Sequence, residues 1–338
     1  MRFGQVPLDQ AEGAILAHSV PLADGRLRKG MVLGSADIAR LAAAGLAEVT
    51  VARLDPDDVP EDEAAARLAA ALVPDPAGQG LAVSAAFTGR VNLNATGPGL
   101  ADVDAAAIHA LNRIHPAITL ATLAPLTRVT AGVLTGTVKI IAYAVPAAAL
   151  TQACNVARSA IRVLPVRRRT ASLILTEVPG MDAKLAAKGA KAVEARLSAL
   201  GMALVQTVTV AHQTAAVANA LRAATGEMLL ILTGSATSDL FDTAPEGLRR
   251  AGGTVTRFGM PVDPGNLLFV GQLGDRPVIG LPGCARSPAL NGADWVLERL
   301  ACGLTVGDEE IAAMGVGGLL KEIPTRPQAR EPKDKSRA

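Results

Sequence analysis

The chain has 338 residues, about twice the length of a typical single domain, so more than one domain is expected. Half of the residues are apolar but only 2% are aromatic, which excludes a nucleic-acid surface built on stacked rings. The net charge is +2, and residues 321–338 alone contribute +3, so the other 320 residues carry about −1. Without an overall basic field, no nucleic-acid partner is predicted.

Cysteine usage and hydropathy predict a cytoplasmic protein. The three cysteines are too few and too scattered for a disulfide framework, and they suit a reducing compartment. The N-terminus has acidic residues and no apolar core of a secretory signal. The longest apolar run, IIAYAVPAAAL (140–150), is broken by Pro146 and is too short to span a bilayer, so no membrane partner is predicted.

The first segment, 1–80, alternates short apolar runs with turn residues. SADIARLAAAG (35–45) predicts a helix that is capped by Ser35 or Asp37 and ended by Gly45. A strand (AEVTVARL), a solvated loop and a second short helix (EAAARLAAAL) are expected to follow.

The second segment, 81–169, is predicted to be mixed and rich in strands. VNLNATGPGL (91–100) is interpreted as a polar turn region, and DVDAAAIHALNRIHP (102–116) as an amphipathic helix. The β-branched runs that follow predict strands. Together, residues 1–169 are expected to form a mixed α+β region.

Residues 170–305 change to regular alternation of strand and helix. Near-continuous apolar strands such as SLILT and MLLILT, each followed by a helical pattern, predict an α/β domain with a parallel sheet covered on both faces. Residues 306–338 are expected to be a C-terminal extension that ends in a disordered tail or linker.

The loop after MLLILT is the first candidate site, because ligands of open α/β sheets bind beyond the carboxyl ends of the strands. GSATSDLFDTAPEGL (234–248) joins this strand to a helix, and its small residues can present N–H groups to a phosphate. Asp242 is the candidate for catalysis and for holding Mg²⁺. The alternative is an ordinary turn in which Asp242 or Thr243 only caps the helix. The candidate phosphate-binding residues are Thr233, Gly234, Ser235, Thr237, Ser238 and Asp239.

Two further loops, MPVDPGN (260–266) and GLPGCARS (280–287), carry Pro–Gly at strand ends. With the first loop they predict a divided site for a phosphorylated ligand that contains a ring. Arg286 can pair with a phosphate, and Ser287 is expected to cap the following helix. The alternative is that both are ordinary Pro–Gly turns. The candidate residues here are Pro264, Gly265, Asn266, Pro282, Gly283, Cys284 and Ser287.

Taken in order, LLILTGSATSDLFD, MPVDPG and RPVIGLPGCARS resemble the molybdopterin-binding domain that gephyrin-like molybdenum insertases share with molybdopterin adenylyltransferases. That family usually reads TTGG or TSGG with a loop ending in Asp, then PGKP, then GLPGNP. The resemblance covers about 170–305 and is specific only as a set, and 13–54 also looks like the insertase segment that precedes this domain. It implies a three-layer α/β molybdopterin-binding domain and a role in molybdenum-cofactor biosynthesis or hand-over.

The resemblance also implies a ligand and partners. The ligand is molybdopterin or its nucleotide form, with the first loop on the phosphates, the other two loops on the pterin, and Asp242 positioning Mg²⁺ or water. If the chain is an enzyme, it is an insertase or a nucleotidyltransferase-like transferase. Family relatives form dimers or trimers, so a homo-oligomer is expected, with a nucleotidyltransferase or a molybdoenzyme as a partner.

Departures from the family pattern favour ligand binding over adenylyl transfer or metal insertion. Ser235 replaces the second glycine, Asn266 replaces the lysine of PGKP, and Cys284–Ala285 replaces Asn–Pro. His212 stands about where the family has an aspartate. It could act as a base, and the alternative is that it only caps a helix or lies at the surface. Cys284 is either a thiolate favoured by a helix N-terminus, which could ligate molybdenum, or a small residue in a tight turn.

Two other functions stay open. The competence-damage family shares this fold and hydrolyses nucleotide pyrophosphate bonds, which a hydrolysis assay with Mg²⁺ or Co²⁺ would detect. A non-catalytic scaffold for a cofactor nucleotidyltransferase is the other, and the altered PGKP and GLPGNP motifs and the charged, proline-rich tail favour it.

Overall fold

The computed structural model describes residues 1–320, which form two compact units with their boundary between Pro165 and Val166. The tail predicted at 322–338 lies outside the described residues. No helix within the described part of the chain is long and apolar enough to cross a membrane.

The first unit, 1–165, is built from small antiparallel sheets and short helices. Its strands are β1 Arg2–Pro7, β2 Ile15–Leu16, β3 Val20–Leu22, β4 Gly25–Leu27, β5 Glu48–Arg53, β6 Asp58–Pro60, β7 Leu81–Val83, β8 Arg90–Ala95, β9 Gly99–Val103, β10 Ile118–Thr122, β11 Arg128–Val129, β12 Leu134–Ile140, β13 Ala144–Pro146 and β14 Ile161–Pro165. They pair in the orders β1-β5-β2, β3-β4, β13-β6, β10-β12-β8-β7 and β11-β9-β14. The helices are α1 Ser35–Ala43, α2 Glu61–Leu72, α3 Ala105–Asn112 and α4 Ala147–Val156.

Three predicted helices of this unit are confirmed as α1, α2 and α3. Gly45 follows α1 with φ of +82°, a conformation that glycine adopts at little cost. The prediction of a turn region at 91–100 is wrong, because this stretch contains β8 and begins β9. In β8, the side chains of Val91, Leu93 and Ala95 are buried in the core, and the asparagines between them lie on the other face. This alternation is typical of a half-buried strand, but asparagine is also common in turns, which led to the wrong prediction.

The second unit contains a six-stranded sheet. Its strands are β15 Thr170–Glu177, β16 Ala203–Ala211, β17 Met228–Leu232, β18 Thr254–Phe258, β19 Phe269–Leu273 and β20 Arg276–Leu281. They lie in the order β16-β15-β17-β20-β19-β18. Its helices are α5 Ala183–Ala199, α6 Thr214–Ala223, α7 Thr243–Arg250, α8 Gly292–Ala301 and α9 Asp308–Ala313.

The predicted parallel arrangement is confirmed for the four strands β16, β15, β17 and β20. It is wrong for β18 and β19, which run antiparallel to their neighbours. The physical reason lies in the connection, because Gly274 and Asp275 alone join β19 to β20 and a parallel pair needs a crossover of a dozen or more residues.

Helices pack on both faces of this sheet. Ile174, Leu229 and Ile231 share a buried cluster with residues of α6 and α7. On the other face, α5 lies so close that a Cβ at its Gly189 would stand 2.6 Å from the Leu232 side chain. The second unit is therefore a mixed α/β fold with helices above and below the sheet.

The strand directions bring three loops to one edge of the sheet. β17 and β20 are parallel and end there at Leu232 and Leu281, and β19 begins there because Phe269 pairs with Gly280. We call this border the carboxyl edge, formed by the loops 233–242, 259–268 and 282–291.

Candidate functional site

The carboxyl edge contains the residues that the three sequence motifs predict. The Arg286 guanidinium donates to the Thr233 carbonyl and so joins the loops 282–291 and 233–242. The Gly292 N–H donates to the Pro264 carbonyl at 2.8 Å, which joins the loop 259–268 to the start of α8. Candidate residues separated by up to 54 positions in the chain therefore lie on one connected loop surface.

The loop 233–242 is held close to the end of β15. A Cβ at Gly234 would stand 2.6 Å from the Thr176 carbonyl oxygen, so this position has no room for a side chain. The Thr233 hydroxyl donates to the Ser235 carbonyl at 2.5 Å, and Thr237 is buried. Gly234 is thus needed because two backbone segments come close together there. The candidates of this loop that are exposed and could contact a ligand are Ser235, Ser238 and Asp239.

Asp242 caps α7. Its Oδ1 accepts from the Thr243 N–H at 2.6 Å, and its Oδ2 accepts from the Ser238 N–H at 3.0 Å. Burial works against the charge, but these backbone hydrogen bonds and nearby His212 outweigh it and lower the pKa of the Asp242 carboxyl. Asp242 is therefore an ionised carboxylate at neutral pH, and its contacts are those of the capping alternative.

Thr176 and His212 form a hydrogen-bonded pair beside this loop. The Gly234 N–H donates to Thr176 Oγ1 at 2.9 Å, and Thr176 Oγ1 lies 2.8 Å from His212 Nδ1. His212 lies close enough to Asp242 to lower the pKa of its carboxyl. Sequence reasoning missed Thr176, although its position at the end of a buried strand is the signal by which the other candidates were chosen.

The loop 282–291 differs from its prediction. Gly283–Arg286 form a single 3-10 turn, and Ser287 follows this turn instead of capping a helix. Helix α8 starts later, at Gly292, where Asn291 accepts from the Ala293 N–H at 2.9 Å. The predicted cap at Ser287 is wrong because Asn291, with Asp294 three residues later, completes a capping box that the sequence also contained.

The hypothesis of a stabilised thiolate at Cys284 is also wrong. Cys284 is exposed as a whole residue, but its thiol is partly shielded from water in the turn, and this partial burial raises the pKa of the thiol. A four-residue 3-10 turn offers little of the aligned dipole that an α-helix would provide. Cys284 is thus a thiol at neutral pH, in agreement with the alternative of a small residue in a tight turn.

A buried ion pair that the sequence did not reveal holds the same loop. Arg196 on α5 donates through Nε to Asp294 Oδ1 at 2.6 Å. Its remaining N–H groups donate to the carbonyls of Ala192, Ala285, Ser287 and Ala289. All five guanidinium donors are used, so Arg196 fixes the loop 282–291 from below.

The loop 259–268 rests on the beginning of α8. Gly265 has φ of +144°, and a Cβ there would stand 2.8 Å from the Gly292 nitrogen, so both the conformation and the space require glycine. Asn266, at the position of the family lysine, is exposed, and its carbonyl accepts from the Met260 N–H. The predicted residues Pro264, Gly265 and Asn266 therefore border the carboxyl edge on the side of β19.

The donors at the carboxyl edge fit a metal only together with a ligand. Among residues 1–320, no three His, Cys, Asp or Glu side chains are grouped to hold a metal ion. Mg²⁺ is commonly held by one or two carboxylates together with substrate phosphates. Asp242 can supply one such carboxylate, and the phosphate oxygens of a bound ligand would have to supply further ligands.

Comparison with known proteins gives limited likenesses. A family model described as a domain of unknown function, DUF8806, matches residues 5–53. No curated protein matches the chain. A solved structure of the molybdopterin biosynthesis MoeA protein from Pyrococcus horikosii is 14% identical over 89% of this chain and 75% of that chain, with a TM-score of 0.32.

Proposed function

We propose that the second unit is a molybdopterin-binding domain, and that the protein binds molybdopterin or its nucleotide form during assembly or hand-over of the molybdenum cofactor. The observation that carries this proposal is the convergence of three motif-bearing loops at one edge of the sheet. Each loop carries the sequence pattern that led to the same family, and the contacts from Arg286 to Thr233 and from Gly292 to Pro264 join them.

The loop 233–242 is the phosphate side of the proposed site. Ser235 and Ser238 are exposed hydroxyl residues, and the loop leads into the N-terminus of α7, where backbone N–H groups and the helix dipole favour an anion. Asp242 is ionised and would repel a bare phosphate. A ligand phosphate is therefore expected to bind together with Mg²⁺, which the Asp242 carboxylate and the phosphate oxygens would share.

The loops 259–268 and 282–291 form the pterin side. Gly283 is exposed and Ser287 is partly exposed, so both can contact a pterin ring, whereas Gly265 is buried and shapes the loop 259–268. Asn266 replaces the family lysine, and His212 stands about where the family has an aspartate, so two charged groups that would act on phosphate or metal are missing. These departures support binding and hand-over, with a nucleotidyltransferase or a molybdoenzyme as the partner, more than turnover by this chain.

Calorimetric titration of the full chain with molybdopterin and its adenylylated and cytidylylated forms, with and without Mg²⁺, tests this proposal. We expect submicromolar binding of one form and at least tenfold weaker binding without Mg²⁺. In Asp242→Asn, which keeps an oxygen that can cap α7, the affinity should no longer depend on Mg²⁺. Asp275→Asn, in the β19–β20 turn at the opposite edge of the sheet, is the matched control and should bind like the original chain.

Failure of all three forms to bind a folded chain would refute the proposed function. Hydrolysis of ADP-ribose with Mg²⁺ or Co²⁺ by the same preparation would then identify a pyrophosphate hydrolase. An unchanged Mg²⁺ effect in Asp242→Asn would remove the metal-positioning role from Asp242 and leave its role as a helix cap.

A further inference from the structure

We infer that His212 is a fixed hydrogen-bond donor for the phosphate oxygens of the ligand at the carboxyl edge, and that Thr176 holds it in the tautomer that donates from Nε2. This inference rests on the proposed function for the location of the ligand. Asn266 replaces the family lysine that would face a phosphate. The inference gives that role to His212, which lies in the connection between β16 and α6.

The tautomer follows from the hydrogen bonds of one buried hydroxyl. Thr176 is 1% exposed, and its Oγ1 accepts from the Gly234 N–H at 2.9 Å. The hydroxyl proton needs an acceptor, and His212 Nδ1 lies 2.8 Å away. If Nδ1 carried the proton instead, the buried hydroxyl would have no acceptor, which is unfavourable for a buried donor. Neutral His212 therefore accepts at Nδ1 and carries its proton on Nε2.

The Nε2–H group is directed away from Thr176 and is left without an acceptor in the described part of the chain. His212 is half-buried and follows β16 directly, and its backbone N–H donates to the Glu177 carbonyl at 2.9 Å, so the backbone is fixed as well. The ring is close enough to Asp242 to act on its carboxylate, yet no hydrogen bond joins the two side chains. A donor in this position suits an anion that lies between His212 and the start of α7.

The same geometry links ligand binding to the phosphate loop. Thr176 bonds both His212 and the backbone of Gly234, and a Cβ at Gly234 would stand 2.6 Å from the Thr176 carbonyl oxygen, so the loop lies directly against the end of β15. Thr176 is thus a positioning residue, and His212 is the residue that touches the ligand. A side chain that offers an N–H at the Nε2 position should retain binding, whereas an apolar side chain of similar length should not.

Nitrogen NMR of the full chain labelled at histidine tests the tautomer without any pterin. The chain has four histidines, so loss of one signal set in His212→Gln assigns the ring. We expect neutral His212 to show a protonated Nε2 and an unprotonated Nδ1. Thr176→Ser should keep this pattern, and Thr176→Val should give a mixture of tautomers. A protonated Nδ1 in the original chain would overturn the inference.

Titration with inorganic pyrophosphate and Mg²⁺ tests the contact. We expect the Nε2 signal of His212 to shift, affinity to fall about tenfold in His212→Met, and His212→Gln to stay within about threefold of the original chain. His109→Met, on α3 of the first unit, is the matched control. Pyrophosphate binding with no shift and no loss in His212→Met would overturn the inference.

The two proposals fail separately. Molybdopterin binding that is equal in His212→Met and in the original chain would leave the proposed function standing and overturn this inference. A pyrophosphate response of His212 in a chain that binds none of the molybdopterin forms would support this inference and refute the proposed ligand.

Discussion

The interior of the six-stranded sheet and its carboxyl edge are stabilised by different interactions. In the interior, every residue of β17 is apolar and buried, and β15 adds the buried apolar run Leu173, Ile174 and Leu175. The largest fully buried side chain, Phe269, lies against Gly280, where a Cβ would stand 1.9 Å from the aromatic ring. This region depends on apolar burial and on small residues at points of close contact.

The carboxyl edge depends instead on side chains that bond distant backbone groups. Arg196 binds three carbonyls of the loop 282–291, and Asn291 and Asp294 cap the helix that follows it. Thr176 and Asp242 bond N–H groups of the loop 233–242. The comparison shows that the fold and the candidate site can be perturbed separately, because different residues stabilise them.

Arg196→Met should have the largest effect. It would leave Asp294 buried and without its cation, and breaking a buried pair in this way costs about 3–5 kcal/mol. The single tryptophan, Trp295, lies beside Asp294 on α8, so its fluorescence during urea unfolding measures the stability of the second unit.

The matched control for this change is Arg222→Met, which removes an exposed arginine from α6 of the same unit. Surface substitutions of this kind usually change stability by less than about 0.5 kcal/mol. Equal urea midpoints for the two variants would show that the buried pair does not hold the loop.

Gly280→Ala should have a smaller effect and should act on the interior of the sheet. The new methyl group would overlap the Phe269 ring, and overpacking of a core costs about 1–3 kcal/mol. Shortening the opposing side chain in Gly280→Ala/Phe269→Leu should recover part of the urea midpoint followed by Trp295. If the double variant is less stable than the single one by the full cost of Phe269→Leu, the overlap is not the cause.

Asn291→Ala should cost less again, about 1 kcal/mol, because it removes the side-chain oxygen that accepts from the Ala293 N–H. Asn291→Ser keeps a capping oxygen and should lose much less. The same urea experiment checks both. Equal losses would show that the buried volume of Asn291 matters and its capping bond does not.

The sheet interior was largely predictable from the sequence because its signal is local. Runs such as MLLILT read directly as buried strands, and glycine ended the long helix that follows β15. The direction of β18 and β19 was predicted wrongly because strand direction depends on the length of the connections and on strand pairing. The apolar content of a strand carries no information about either. Strand β8 was missed because asparagines occupied its exposed face.

The site was predictable in its location and much less in its contacts. Strand ends pointed to the loops 233–242 and 282–291, since topology alone brings them to one edge. The partner of Arg196 is 98 residues away, and the hydroxyl that orients His212 is 36 residues away from it. Such pairs have no local pattern, so the sequence could not indicate which polar residues hold the loops.

The smallest expected effect is the pH dependence that Asp242 contributes. Because the folded state lowers the pKa of this carboxyl, the unfolded chain takes up a proton first as the pH falls, and stability from Asp242 is present above the ordinary aspartate range, near pH 4. This stability is lost as the pH falls through the lower pKa of the folded state. The urea midpoint reported by Trp295 should therefore fall more steeply with acid in the original chain than in Asp242→Asn, and the two curves should converge once the pH is below the lowered pKa of the folded state. Parallel curves would mean that the bonds to Ser238 and Thr243 do not depend on the charge, and that Asp242 stabilises α7 only as a neutral cap would.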